Sequence, residues 1–435
     1  MNFARSKALQ SKSHALIPGG AHTYAKGDDQ YPELAPAFLV KGEGCHVWDV
    51  DGNEFIEYGM GLRSVALGHG YRPVVEAAHR QMLQGINFNR PSPVEVECAE
   101  KLASLVDSAE MVKFAKNGSD VTSAAVKLAR AYTDRDLVAI CADHPFFSVD
   151  DWFIGATAMS AGIPEAIKQL TVPFHYNDLA SVKRLFEEYP GQIACLMMEA
   201  ERIEPPADNF LHKVQQLCKE NGALFILDEI VTGFRWHLGG AQKCFGVSPD
   251  LSTFGKAMGN GFSISALVGK REIMELGGLG HDKERVFLLS TTYGAETHAL
   301  AAALETMRIY EQEHVIEHLY RQGEKLIEGI QQVVEENELG GYFGVIGKPC
   351  NLLYYTYDRN RKPSQAFRTL FLQETIKRGL LMPSLVVSFS HTDEDIDRTI
   401  QAIGEALYTY RKALAEGVEK YLVGQPSKPV FRRFN

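Results

Sequence analysis

Short apolar runs alternate with helical stretches through the middle of the chain. The runs predict buried strands at Leu137–Cys141, Cys195–Glu199 and Ala223–Asp228, and apolar residues recur at helical spacing between them. One such helix is predicted from about Asn209 to Gly222, a residue suited to a C-cap. Alternation of this kind is typical of a mostly parallel sheet covered by helices. The sequence therefore predicts an α/β protein.

The two ends of the chain have a different pattern. Short strands are predicted near the N-terminus, and the C-terminal part is mainly helical with one further strand. These elements are Cys45–Trp48, Phe55–Tyr58, Thr297–Glu313, Val315–Glu336, Asn351–Thr356, Ser364–Arg378 and a helix that begins after Thr392. We expect an N-terminal segment at residues 1–65, a large domain at 66–310 and a smaller α+β C-terminal domain at 311–435.

Composition narrows the possible functions without naming one. The 435 residues are 45% hydrophobic, which is enough to bury a large core. A net charge of −10 argues against a general nucleic-acid surface. Seven cysteines without metal-ligand spacing suit a reducing compartment, and neither a secretory signal nor a run of about eighteen apolar residues is visible. We expect a cytoplasmic protein that acts on small molecules, with neither a nucleic acid nor a membrane as partner.

One buried run ends in an acid, and a lysine flanked by small residues follows. Asp228 closes the apolar part of ALFILDEIVTGFR, and Lys256 lies in DLSTFGKAMGNG. A carboxylate at a strand end can keep the pyridine nitrogen of pyridoxal phosphate (PLP) protonated, and a lysine amine can form an imine with the cofactor's aldehyde. Asp228 and Lys256 are therefore the candidate catalytic residues. Taken alone, Asp228 could be a strand-end cap and Lys256 a solvated loop residue.

A third segment strengthens this interpretation. The apolar stretch Met111–Ala115 leads into Gly118, Ser119 and Asp120, which open a helix with an apolar face. Glycine allows close approach of the backbone, and the amides and dipole at a helix N-terminus suit a phosphate. These three residues are predicted to form a phosphate cradle. An ordinary N-cap is the alternative explanation.

The motifs extend almost from end to end. They are SHALIPGGAHTYAKG, GCHVWDVDGNEFIEYGMGLRSVALGHG, KNGSDVTSAAVKLAR, LDEIVTGFR, PDLSTFGKAMGNGFSISALVG and STTYGAETHALAAA. With these motifs in this order, the chain resembles the class III aminotransferases of fold type I, and most closely their glutamate-1-semialdehyde aminomutase branch. The resemblance implies a PLP-transferase fold and a homodimer with shared active sites.

The resemblance also implies roles around the cofactor ring. Phe146 in HPFFSVDDWFIG would stack on the ring, with Phe147 where the family usually carries a histidine. A packed aromatic in a core loop is the alternative. Ile230 or Val231 would pack under the ring, and the strand-end acid Glu199 would be structural.

The segment STTYGAET matches the loop that reaches across the dimer interface in the family. Thr292, or Thr291 beside it, would bind the phosphate of the partner's cofactor. The family's glycine-asparagine-proline that follows is replaced here by Ala295, Glu296 and Thr297. This departure puts the aminomutase activity in doubt.

A second departure concerns the substrate. The aminomutase carries an arginine that grips its substrate's carboxylate, and this chain has Lys26, which lacks the planar fork of arginine. Lys26, His22, Tyr24 and Arg63 are predicted near the substrate, although Arg63 could pair with a surface acid and His22 could be a loop histidine. Variants in these motifs resemble relatives from surface-polysaccharide gene clusters. The expected reaction is transfer of an amino group from an amino acid, with glutamate as the expected donor, to a keto or aldehydo acceptor such as a sugar derivative.

Three other functions stay open at this point. The aminomutase reaction would move an amino group within one molecule and would need no separate donor. A PLP decarboxylase or epimerase could use the same Asp228 and Lys256. A binding or regulatory protein could retain the fold without turnover, but the intact cradle, acid and lysine make it the weakest of the three.

Overall fold

The computed structural model describes residues 1–434, which form two compact units. The large unit comprises Arg72–Ile316 together with Arg433 and Phe434, and the composite unit joins Met1–Tyr71 to Glu317–Arg432. The strands are β1 (Leu39–Glu43), β2 (His46–Asp49), β3 (Glu54–Glu57), β4 (Met111–Ala115), β5 (Leu137–Cys141), β6 (Thr171–Phe174), β7 (Ile193–Met198), β8 (Leu224–Asp228), β9 (Leu251–Phe254), β10 (Ser265–Gly269), β11 (Phe343–Lys348), β12 (Asn351–Thr356) and β13 (Leu380–Leu381).

Helices connect most of these strands. They are α1 (Ala4–Leu16), α2 (Met60–Arg63), α3 (Arg72–Met82), α4 (Pro93–Leu105), α5 (Gly118–Thr133), α6 (Asp151–Ile154), α7 (Glu165–Lys168), α8 (Leu179–Glu188), α9 (Phe210–Glu220), α10 (Ala241–Phe245), α11 (Arg271–Met274), α12 (Thr297–Gln312), α13 (Val315–Glu336), α14 (Gln365–Ile376) and α15 (Asp393–Glu416). Within residues 1–434, the structure contains no helix both long and apolar enough to span a membrane.

A seven-stranded sheet forms the centre of the large unit. Its strand order is β4-β10-β9-β8-β7-β5-β6, and the pairs from β9 to β6 are parallel. β10 runs antiparallel to both of its neighbours. Every residue of β7 and β8 is buried, because a parallel sheet is covered on both faces. The prediction of a mostly parallel sheet with helices is confirmed.

The direction of the strands determines where functional residues gather. Strands β7, β8 and β9 are parallel, and β4 points the same way because β10 is antiparallel to both β4 and β9. The carboxyl ends of these four strands therefore meet at one edge of the sheet, which we call the carboxyl edge. In open α/β sheets this is the edge where ligands bind.

The composite unit combines both ends of the chain. β1, β2 and β3 form an antiparallel meander, and β13 adds to it in parallel with β3. Phe3, Val47, Phe55, Ile376 and Leu381 form a shared buried cluster. The N-terminal segment, which the sequence analysis set apart from the C-terminal domain, thus packs with it in one unit.

Candidate active site

Asp228 is the last residue of β8 and is only 4% exposed. Its Oδ1 accepts hydrogen bonds from the Ile230 amide at 2.9 Å and from Thr253 Oγ1 at 3.0 Å. Burial, with repulsion from Glu199, raises the pKa of Asp228 to about 7, although the two hydrogen bonds and the positive charge of Lys256 act against this rise. A cationic group beside the carboxylate would favour its ionised form.

Lys256 follows β9 after one glycine and begins the 3-10 turn Lys256–Gly259. Its φ of 44° lies in the left-handed region, which is uncommon for a residue with a side chain. Such backbone strain persists where the surrounding structure enforces it, and it is frequent at active sites. Lys256 is half-buried, and its charge acts directly on Asp228. The two predicted catalytic residues therefore lie together at the carboxyl edge.

The predicted phosphate cradle forms the start of α5, directly after β4. Asn117 is the N-cap: its Oδ1 accepts from the Asp120 amide at 3.2 Å, and Asp120 Oδ2 accepts from the Asn117 amide at 3.0 Å. Asp120 thus serves as the reciprocal partner of a capping box. Ser119 Oγ accepts from the Val149 amide at 3.0 Å, which ties the helix start to the loop after β5.

Ile230 lies between the helix start and the lysine turn. A Cβ added at Gly118 or at Gly255 would lie 3.2 Å from Ile230 Cδ1 in either case. The two glycines therefore allow this side chain to touch both segments. Ile230 is buried and Val231 half-buried, so Ile230 is the better placed of the two predicted ring supports.

The two adjacent phenylalanines after β5 have different environments. Phe147 is 2% exposed, packs edge-on against Phe153, and its carbonyl accepts from Thr122 Oγ1 at 2.8 Å. Phe146 is 42% exposed and packs edge-on against the same Phe153. Phe147 therefore packs in the core, whereas the ring of Phe146 is accessible to a planar ligand.

The loop that contains Thr291 and Thr292 is exposed in the single chain. The Thr292 carbonyl accepts from Asn87 Nδ2 at 3.0 Å, and Thr297 Oγ1 donates to the Gly85 carbonyl at 2.7 Å. These two hydrogen bonds tie the loop to residues 85–87, and both threonines are exposed.

Several groups that support the cradle are not evident from the sequence. Lys116, two residues before α5, forms an ion pair with Glu296, the N-cap residue of α12. Ser263 Oγ donates to the Lys116 carbonyl at 2.9 Å, and Ser265 Oγ donates to the Asn117 carbonyl at 2.8 Å. These partners are distant in sequence, so no local motif identifies them.

The four predicted substrate residues belong to the composite unit. His22, Tyr24 and Lys26 are exposed, and Lys26 lines a cavity of about 780 Å³ within that unit. Arg63 Nε donates to Asn351 Oδ1 at 2.8 Å. A role in substrate binding stays a prediction for all four.

Comparisons with known proteins agree with this site. The family model described as aminotransferase class III matches residues 26–407. The glutamate-1-semialdehyde 2,1-aminomutase of Acetivibrio thermocellus is 33% identical and covers 95% of this chain and 99% of its own. The 3-aminobutyryl-CoA aminotransferase of Cloacimonas acidaminovorans is 32% identical, and the match covers 95% of this chain and 99% of that protein. The structure of the FumI protein of Sphingopyxis sp. MTA144, solved in its PLP internal aldimine form, is similar with a TM-score of 0.87 and 28% sequence identity. The match covers 97% of this chain and 99% of the FumI chain.

The sheet and its carboxyl edge define a fold type I PLP enzyme. The chain belongs to the class III aminotransferase family, whose members use PLP. Its residues fit the cofactor: Asp228 is a buried acid whose Oδ2 is not used by the two hydrogen bonds above, Lys256 adjoins it, and α5 presents its N-terminus at the same edge.

Proposed function

We propose that this enzyme transfers an amino group from an amino acid, with glutamate as donor, to a small keto or aldehydo acceptor. The observation that carries the proposal is the buried Asp228 carboxyl with its raised pKa beside Lys256. A group with a perturbed pKa next to a lysine at the carboxyl edge is suited to catalysis rather than to stability alone. A sugar derivative is the acceptor class that the sequence motifs favour.

When bound, PLP supplies an aldehyde that captures amines and a protonated ring that withdraws electrons from the reacting carbon. Asp228 would keep the proton on the ring nitrogen, and Ile230 would support one face of the ring. The amides at the start of α5 would bind the phosphate. Lys256 Nζ, once released by the incoming donor amine, would take the proton from the donor's α carbon and return it to the cofactor side.

The first test separates the donor half of the reaction from the acceptor half. PLP-loaded enzyme incubated with L-glutamate alone should form up to one equivalent of 2-oxoglutarate per site and then stop. Lys256→Ala should slow this step by about 10²- to 10⁴-fold, because it removes the proton carrier. Lys243→Ala, at a surface ion pair with Asp107, is the matched control and should react as the wild type does. Full activity in Lys256→Ala would refute the assignment.

The acceptor is identified by adding keto sugars, aldehydo sugars and keto acids to the glutamate-treated enzyme. The acceptor that restores the starting form of the cofactor is the substrate class. Lys26→Met should raise KM for a carboxylate-bearing acceptor and leave kcat nearly unchanged, because Lys26 would bind the substrate without taking part in the chemistry.

The aminomutase reaction is the second candidate, since a relative of that name is 33% identical over almost the whole chain. Lys26 in place of the expected arginine argues against it. The two candidates differ in one measurement. An aminomutase converts glutamate-1-semialdehyde without any added donor, whereas a transferase needs glutamate and releases 2-oxoglutarate.

We also propose a cytoplasmic homodimer in which each site takes a threonine, Thr292 or its neighbour Thr291, from the other chain. The large apolar residues Ile86 and Phe88 flank Asn87, which is hydrogen-bonded to the loop, and Tyr293 follows Thr292 in the loop. All three are exposed. Exposed apolar side chains grouped in this way are typical of a surface that binds another chain.

A further inference from the structure

Three side chains of metal-ligating type converge within the composite unit. Cys45, His46 and Asp395 each offer a ligand atom, and these atoms all lie within 4.8 Å of one another. Cys45 Sγ is 3.4 Å from Asp395 Oδ2, and His46 Nε2 is 3.1 Å from Asp395 Oδ1. With bonds of about 2.0–2.3 Å to a tetrahedral Zn²⁺, ligand atoms stand about 3.3–3.8 Å apart. The Cys45–Asp395 distance lies within this range and the His46–Asp395 distance is slightly shorter, with each of the two Asp395 oxygens facing one of the other ligands.

The backbone holds two of these groups in place. Cys45 lies in the turn between β1 and β2, and Asp395 lies in the first turn of α15. Asp395 Oδ2 accepts hydrogen bonds from the Thr392 amide at 3.0 Å and from Thr392 Oγ1 at 2.7 Å. This capping box fixes the carboxylate with Oδ1 toward the imidazole of His46.

The imidazole of His46 lies between two carboxylates. Glu54 Oε1 is 2.9 Å from Nδ1, and Asp395 Oδ1 is on the Nε2 side. A histidine that ligates a metal almost always has its other ring nitrogen next to a carboxylate or carbonyl, which fixes the tautomer. Nδ1 and Glu54 Oε1 are at ion-pair distance without the geometry of a hydrogen bond. With its proton on Nδ1, the neutral ring would present the Nε2 lone pair to Cys45 and Asp395.

Access to the cluster is one-sided. Cys45 is 1% exposed, and the side chain of Asp395 is also buried, whereas a quarter of the His46 side chain is exposed. An ion could enter past the imidazole and would then be enclosed by the thiol and the carboxylate.

We propose that Cys45, His46 and Asp395 form a Zn²⁺ site, with a water molecule as the fourth ligand. Thiolate, imidazole and carboxylate are donors that Zn²⁺ accepts in proteins. Binding would release the proton of the Cys45 thiol, because the sulfur must be unprotonated to ligate, and would hold the imidazole of His46 in the tautomer with Nε2 unprotonated. The ion would clamp the β1–β2 turn to the start of α15, and the site uses none of the residues assigned to PLP.

The test is equilibrium dialysis of chelator-treated, PLP-loaded protein against ZnCl₂, followed by metal analysis. We expect one zinc per chain in the wild type and loss of this zinc in Cys45→Ser. Glu54→Gln, at a half-exposed position, should bind zinc about 10- to 100-fold more weakly, because it removes only the carboxylate behind His46. Zinc should also raise the unfolding temperature of the wild type but not of Cys45→Ser.

Cys244→Ser is the matched control, because Cys244 is the exposed cysteine among the seven and the natural place for adventitious zinc. It should keep the bound zinc. The proposal is overturned if the wild type binds no stoichiometric zinc, or if binding depends on Cys244. If Cys45→Ser does not fold, Glu54→Gln decides alone, and an unchanged zinc affinity in that variant contradicts the proposal. In that case His46 is only an imidazolium held between two carboxylates.

Discussion

Ile230 packs against Gly118 so closely that a Cβ at Gly118 would lie 3.2 Å from Ile230 Cδ1. The same methyl group would lie at the same distance from a Cβ at Gly255, the residue before Lys256. One isoleucine therefore joins the start of α5 to the lysine turn. A Cβ at either glycine would force Ile230 to shift by a few tenths of an ångström.

Gly118→Ala should destabilise the protein by about 1–3 kcal/mol, as overpacking does in a closely packed region. The backbone of Gly118 is not in the left-handed region, so the penalty would come from the contact with Ile230 and not from strain. Ile230→Val removes Cδ1 and should relieve the clash. The measurement is a double-mutant cycle by urea unfolding. A zero coupling free energy between the two positions would show that they do not compete for space.

Asp228 should give the PLP-free protein a characteristic pH dependence. Its folded pKa is about 7, above the value of about 3.9 of an unperturbed aspartate. The folded state therefore retains a proton that the unfolded state has lost, and the stability that this proton contributes is complete below about pH 4 and disappears as the pH rises through about 7. Asp228→Asn cannot titrate, so the wild-type curve should fall relative to the variant across this window. The free energy of unfolding of both proteins is measured by urea unfolding at each pH. If it changes with pH in the same way in both, the ionisation assigned to Asp228 is wrong.

The same substitution should impair the enzyme when PLP is present. Asparagine keeps the shape of Asp228 but has no negative charge to hold a proton on the ring nitrogen. We expect kcat to fall by about 10²-fold or more, the size of effect seen when one preorganised electrostatic group is removed. Steady-state kinetics against Asp228→Glu provide the comparison, because the glutamate variant keeps the charge. An equal loss of kcat in both variants would show that the loss comes from disturbed packing at position 228 and not from the missing negative charge.

Mixed dimers test whether two chains share each site. Lys256→Ala and Thr292→Ala should each be impaired alone, and a heterodimer of the two would contain one site with both residues intact. Random mixing should therefore restore up to about a quarter of wild-type activity, since half of the dimers are mixed and half of their sites are whole. Thr291→Ala in place of Thr292→Ala identifies which hydroxyl is used. No recovery with either threonine variant would place both residues of a site on the same chain.

The ion pair of Glu296 with Lys116 should support cofactor binding from outside the cradle. Glu296→Gln removes the charge beside the residue whose amide donates to Asp120 Oδ2. We expect PLP affinity to fall by about 0.5–1 kcal/mol, the range for a partly exposed pair. Glu305→Gln, which breaks the Glu305–Arg308 pair on the same helix, is the control for a general effect on α12. Equal PLP affinities in the wild type and Glu296→Gln would limit the pair to a structural role.

Local patterns were sufficient for most elements of the fold. The predicted strand Asn351–Thr356 and helix Val315–Glu336 have the observed bounds. The helix has apolar residues at helical spacing, and the strand is a short run of mostly apolar residues. The pairing of β3 with β13 could not be predicted, since neither short strand carries information about its partner. For the same reason, the packing of the two ends of the chain into one unit could not be predicted from the sequence.

The site shows a similar division. Asp228 was identifiable because it ends an apolar run, and Lys256 because small residues flank it. Thr253, which donates to Asp228, becomes relevant only through the register of β8 with β9. The assignment of Asp120 to a capping box likewise needed the helix geometry, because a phosphate cradle and an N-cap have the same sequence pattern.

The most direct test of the account is to locate the covalent attachment of PLP. The PLP-loaded protein is reduced with borohydride, digested and analysed by peptide mass spectrometry. We predict one cofactor adduct per chain on Lys256, lost in Lys256→Ala and unchanged in Lys243→Ala. An adduct on a different lysine, or none with bound PLP present, would contradict the assignment of Lys256 and the mechanism built on it.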